Sequence, residues 1–96
     1  MPLTFREDLH QRLKNPKAAI TYLETALEDG DTKLFLEALK DVAEAQGGMT
    51  RISKKARLDR AGLYRILSRH GNPTYKNLRT IMEAIGYRFK IEKVAA

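Results

Sequence analysis

Met49-Thr50-Arg51-Ile52-Ser53-Lys54-Lys55-Ala56-Arg57-Leu58-Asp59-Arg60-Ala61-Gly62-Leu63-Tyr64-Arg65-Ile66-Leu67 is the stretch that decides the fold. Its apolar spacing predicts two short helices joined by about three residues, a pair that must pack at a steep angle. Ile52 and Ala56 lie one turn apart on the first helix, and Leu58 plugs the turn. Leu63, with either Ile66 or Leu67, faces inward from the second. Asp59 is the residue type that satisfies free N–H groups at a helix start. With those positions buried, Arg60, Ala61, Tyr64, Arg65 and Ser68 point away from the core.

That outer face suits a DNA groove. A helix lying in the major groove reads base edges with residues of its N-terminal half. Arginine can bond guanine O6 and N7 together, contributing about 1–3 kcal/mol of discrimination. Arg60, Ala61, Tyr64 and Arg65 are therefore the candidate base contacts, with Ala61 allowing close approach to a thymine methyl. Thr50, Arg51, Lys54, Lys55, Arg57, Ser68, Arg69, Asn72 and Lys76 are the candidate phosphate contacts, which fix register without reading sequence. On an isolated helix, Arg60 and Arg65 would read as ordinary solvated residues; the motif and its basic surround favour DNA. Tyr64 either props the helix or meets a phosphate through its hydroxyl.

The charge of the whole chain follows the same division. Residues 1–48 hold six Lys/Arg against nine Asp/Glu, a net of −3. Residues 49–96 hold twelve against three, a net of +9. A basic half of this kind attracts polyphosphate and releases its counterions.

Working outward, glycine and proline divide the chain. Phe5, Leu9 and Leu13 are spaced for a short helix or arm. Asn15-Pro16 starts a helix carrying Ile20, Leu23, Ala26 and Leu27 on one stripe, ending before Gly30. Asp31 caps the next, with Phe35, Leu36, Leu39, Val42 and Ala43 inside and Lys33, Glu37, Lys40, Asp41 and Glu44 outside; Gly47-Gly48 stops it. After Gly71-Asn72-Pro73, Thr74 caps a last helix from Tyr75 to Ile85, closed by Gly86 in a left-handed position. Tyr87 to Glu92 alternates apolar and polar, a strand pattern that needs a partner in the chain or in a second copy. The expected class is all-α: an N-terminal helical extension (1–30), a DNA-binding domain of about five helices with a short C-terminal β-strand (31–92), and a flexible tail (93–96).

Other chemistries find little support. The chain has no cysteine, so disulfides and zinc–thiolate sites are excluded. His10 and His70 stand apart from acids at ligand spacing and read as surface or capping residues. There is no phosphate loop and no nucleophile–base pairing, so neither an enzyme nor a bound metal or cofactor is expected. The absence of a long apolar run argues against a membrane span, and the early acids argue against a signal peptide. A cytoplasmic protein is expected.

The basic half resembles the lambda repressor-like (Cro/C1-type, Xre) helix-turn-helix domain. The wider pattern is similar to the bacterial addiction-module antidotes called HigA-like antitoxins. The resemblance rests on the helix before Gly30-Asp31, the Leu34-to-Ala45 helix, Leu58 to Leu67, Gly71-Asn72-Pro73-Thr74 and Ala84-Ile85-Gly86-Tyr87-Arg88. It covers roughly residues 15–92. Two positions depart from the usual motif. Ser53 stands where a small alanine is usual, which fits if its hydroxyl bonds back to the helix. Arg57 stands where the turn usually has glycine, at a cost of about 1–2 kcal/mol in a left-handed conformation.

The resemblance implies an antitoxin of a type II toxin–antitoxin module that neutralises a RelE/ParE-like toxin and represses their shared operon. The alternative is a stand-alone or phage-type regulator without a toxin. The acidic stretch Asn15 to Glu44 is the expected toxin-facing surface, since charge complementarity speeds encounter. One such domain contacts few base pairs, so a homodimer on a palindromic operator of double-stranded DNA is expected. Its interface would be either the Arg88-to-Glu92 strand or the N-terminal helices.

Overall fold

A computed structural model describes residues 3–95. Six helices occur among them: α1 (Phe5–Arg12), α2 (Pro16–Asp29), α3 (Thr32–Ala45), α4 (Met49–Ala56), α5 (Arg60–Ile66) and α6 (Tyr75–Ile85). Four follow Gly30, fewer than the five or so expected. The stretch between α5 and α6, with Gly71 and Pro73, is turn and coil.

Local chemistry sets most of the boundaries. The Lys17 N–H donates to Asn15 Oδ1 at 2.8 Å, with Pro16 opening α2. The Lys33 N–H donates to Asp31 Oδ1 at 2.9 Å, and the Asn77 N–H donates to Thr74 Oγ1 at 3.1 Å. These side chains satisfy backbone donors that a helix start leaves free. Gly86 ends α6 at φ 111°, a conformation costly for a residue with a Cβ. Gly71 has a different reason: a Cβ there would collide with the Ile66 carbonyl.

α3 lies at the centre. Its Phe35, Leu36, Ala38, Leu39, Val42 and Ala43 are all buried. α1 and α2 pack on one part of it and α4 on another, while α5 and α6 both pack on α4. One hydrophobic cluster runs from Leu13, Ala19, Leu23 and Ala26 through α3 to Ile52, Leu63, Leu67, Ile81 and Met82. Polar ties join the same elements. The Tyr22 hydroxyl donates to Asp41 Oδ2 at 2.8 Å, and Arg6 reaches Asp41 at 3.7 Å. Gln46 Nε2 donates to the Leu13 carbonyl at 2.8 Å and its Oε1 accepts from the Tyr87 hydroxyl at 2.9 Å.

Three expectations are corrected. No β-strand occurs among the described residues, so the Arg88-to-Glu92 strand is absent. Tyr87 and Phe89 do turn inward while Arg88 and Lys90 turn out. The alternation thus reports a one-sided apolar contact; no backbone neighbour supplies a ladder. Phe89 lies 6.1 Å from Phe35 between ring centroids. On α2 the buried face is Ala19, Leu23 and Ala26, whereas Ile20 and Leu27 remain exposed. The small alanines let α2 approach α3 closely and leave the larger residues at the margin. On α1, Leu9 is half-buried and Phe5 exposed, while Leu13, just past its end, is buried. Of the expected tail 93–96, Ala96 lies outside the described residues, as do Met1 and Pro2 of the extension.

A cleft of about 420 Å3 separates α2 from the C-terminal segment. Leu23, Phe35 and Met82 are among its lining residues. No helix among the described residues is long and apolar enough to cross a membrane.

Candidate nucleic-acid interface

α4 and α5 are joined by Arg57, Leu58 and Asp59. Arg57 adopts the left-handed conformation, φ 57° and ψ 40°, as its place in the turn required. It is the one non-glycine residue with positive φ among those described. The Leu58 N–H donates to the Ser53 carbonyl at 3.0 Å and the Arg57 N–H to the Lys54 carbonyl at 3.2 Å. Carbonyls freed at the end of α4 are thereby satisfied. Ser53 is buried, and its hydroxyl donates to the Thr50 carbonyl at 2.8 Å. A polar residue thus fits a core position because its donor is used within its own helix.

The start of α5 differs from expectation. Asp59 occupies the capping position with extended backbone, but its side chain makes no capping hydrogen bond. Its Oδ1 lies over Gly62, where a Cβ would collide with it. Gly62 is buried and admits the carboxylate at close range. α5 is held chiefly by packing: Leu63 and Leu67 are fully buried, and Ile66 only partly, which decides between the two alternatives at that end.

The opposite faces carry the candidate contacts. On α4, Met49, Ile52, Ser53 and Ala56 are buried while Thr50, Arg51, Lys54 and Lys55 are exposed. On α5, Arg60, Ala61 and Arg65 are exposed and Tyr64 is half-buried. Arg57, Arg69, Asn72 and Lys76 are also exposed. Arg51, Lys54, Lys55, Arg57, Arg60, Arg65 and Lys76 take part in no ion pair among the described residues. Arg69 is loosely paired with Glu37 of α3 at 3.8 Å. Ser68 is less available than expected, being half-buried with its hydroxyl donating to the Arg65 carbonyl at 2.8 Å. Arg79, outside the candidate set, is neutralised by Glu83 at 2.9 Å, which holds its guanidinium above its usual pKa.

The Tyr64 ring packs against two cations. The Arg60 guanidinium lies 5.6 Å from its ring centroid, and Lys40 Nζ of α3 also lies 5.6 Å away. Such cation–ring contacts contribute about 0.5–1 kcal/mol at exposed sites and hold the cation in place. Periodicity places Lys40 only on the outer face of α3. Its proximity to α5 follows from the packing of α3 on α4, which in turn carries α5, and helical spacing within α3 carries no signal of it. His10 and His70 are both exposed.

These features define a small all-α protein with an acidic helical part and a basic helix pair facing outward. The family model described as "Probable addiction module antidote protein" matches residues 4–93, and the chain belongs to that family. It is similar to an uncharacterized protein of Haemophilus influenzae (strain ATCC 51907 / DSM 11121 / KW20 / Rd). The two are 33% identical over 86 residues, covering 90% of this chain and 88% of that one. No solved structure matches.

Proposed function

We propose that the chain is the antitoxin of a toxin–antitoxin module and a sequence-specific DNA-binding repressor of its own operon, acting by binding and not as an enzyme. α4 and α5 form its helix-turn-helix, of the lambda repressor-like kind, with α5 as the recognition helix. The observation that carries this reading is the pairing of faces on α5. Leu63 and Leu67 are buried, while Arg60, Ala61 and Arg65 are presented outward. Cations on both sides of the turn, unused by internal acids, supply the phosphate contacts. Lys40 joins them through its place beside Tyr64.

Membership in an antidote family supports a toxin partner, and the resemblance described above favours one of the RelE/ParE-like kind. A homodimer on a two-fold operator gives the small recognition surface enough DNA to read. The deciding experiment is a mobility-shift titration against the DNA upstream of the chain's own gene at two salt concentrations, with an unrelated duplex as competitor. Tight, competitor-resistant binding should fall with salt by about 0.9 log units per log unit for each phosphate neutralised. Binding no tighter than to the unrelated duplex rejects the autorepressor.

A further inference from the structure

The cleft between α2 and the C-terminal segment has two walls of opposite charge. Glu24 and Glu28, one helical turn apart, line it on the α2 side. Arg88 and Lys90 line it on the other, with the single acid Glu92 beside them, so that side is basic on balance. None of the four belongs to an ion pair among the described residues, although all four line one cleft. Ile20 and Leu27, on α2 with the two acids, also line the cleft and are 43% and 47% exposed, the large apolar residues that α2 does not bury in its own core. Beside the basic wall, Ile91 is 97% exposed.

We propose that this cleft is where a second copy of the chain docks, the two copies packing cleft to cleft about a two-fold axis. Two-fold pairing makes an interface self-complementary: if residue i of one copy meets residue j of the other, j also meets i. The acidic wall of each copy then faces the basic wall of its partner, and all four walls are neutralised in one event. Ile20 and Leu27 leave water in the same step. A uniformly basic partner would be drawn to Glu24 and Glu28 but repelled by Arg88 and Lys90, and a uniformly acidic one the reverse. A second copy therefore suits this surface better than a basic toxin, although α2 belongs to the stretch expected to face the toxin. It needs only side chains and no added strand.

The proposal rests on the dimeric repressor reading and gives it an interface. The test is sedimentation equilibrium of the full chain. The wild type should be dimeric at micromolar concentration. The exposed-site double variant Ile20→Glu/Leu27→Glu should be monomeric with an unchanged helical circular-dichroism spectrum. Glu24→Lys/Glu28→Lys should weaken the dimer by about tenfold or more, as should Arg88→Glu/Lys90→Glu. All four charge reversals together should restore it to near the wild-type value, which no misfolded variant could do. A wild type that stays monomeric, or a quadruple variant no tighter than either double, overturns the proposal. So does a monomer whose cleft variants lose the toxin instead, since the occupant is then a different protein. A half-site duplex separates the two readings. A dimer that ignores DNA leaves this interface standing and ends the repressor. Half-site binding by a chain that never dimerises does the reverse.

Discussion

The acidic and basic parts of this chain use their charges in opposite ways. In α1 to α3, charges are partly spent internally: Arg6 and Tyr22 converge on Asp41, and Arg12 pairs with Asp8 at 3.2 Å. Around α4 and α5, seven of the candidate contact cations meet no acid among the described residues. The helix ends differ too. α2 and α3 have fourteen residues each and side-chain caps at their starts, whereas α4 and α5 have eight and seven and neither has one. Short uncapped helices are marginal by themselves. The basic pair is therefore a surface held up by the core beneath it, with charge left over for a partner.

The largest test of that contrast is Leu63→Ala. It removes the fully buried residue that anchors α5 and should cost about 2–5 kcal/mol, read by urea denaturation. A cost below 1 kcal/mol would mean that α5 does not depend on packing. Next comes the chemistry of the free cations. Arg65→Ala should lose about 1–3 kcal/mol of discrimination at one base position. Lys55→Ala should weaken all duplexes alike and lower the salt slope by about 0.9. Equal, sequence-blind losses from both would remove Arg65 as a reader.

Capping gives a smaller comparison. Asp31→Ala should cost about 1 kcal/mol, since it breaks a real cap. Asp59→Ala should cost only the few tenths due to a negative charge at a helix start. Thermal melts giving the reverse order would show that Asp59 caps α5 in solution. Arg57→Gly should raise stability by up to about 1 kcal/mol by relieving the left-handed arginine, while weakening DNA binding.

Another small effect sits in the acidic part. Tyr22→Phe should cost about 1 kcal/mol or less through loss of the bond to Asp41. Burial and Asp41 push the Tyr22 hydroxyl up to about 12 from its ordinary value of 10.0. The neutral phenol is thus favoured in the folded state. Its contribution is intact below about pH 10 and is lost as pH rises toward 12. Tyr22→Phe should flatten the stability profile across that window, and an unchanged profile would assign the alkaline loss elsewhere.

Much of this molecule was legible in residue order. The left-handed Arg57 and self-bonded Ser53 were expected only through the family resemblance, whereas the caps at Asn15, Asp31 and Thr74 and the left-handed turn at Gly86 depend on neighbours within a few residues. So does the division of α4 and α5 into buried and outward faces, because helical periodicity alone separates them. Residue type does not settle the Asp59 side chain, which fits a cap or a close approach to glycine; only its orientation distinguishes them, and it lies over Gly62.

What remained for tertiary structure was which of several apolar faces meets another, and with what. Periodicity placed Ile20, Leu23, Ala26 and Leu27 on an inward stripe, but the closeness of α2 to α3 kept Leu23 and Ala26, added Ala19, and left Ile20 and Leu27 exposed. Alternation in Tyr87 to Glu92 marked an inward side correctly and a strand wrongly, since a strand also needs a backbone neighbour. Lys40 beside Tyr64, and opposite charges on facing walls of one cleft, join residues far apart in the chain. Local order determined the helices, their ends and the chemistry each face carries. The packing of α3 against its neighbours decided which of those faces stayed open, because burial is a property of pairs of elements and no single element contains it.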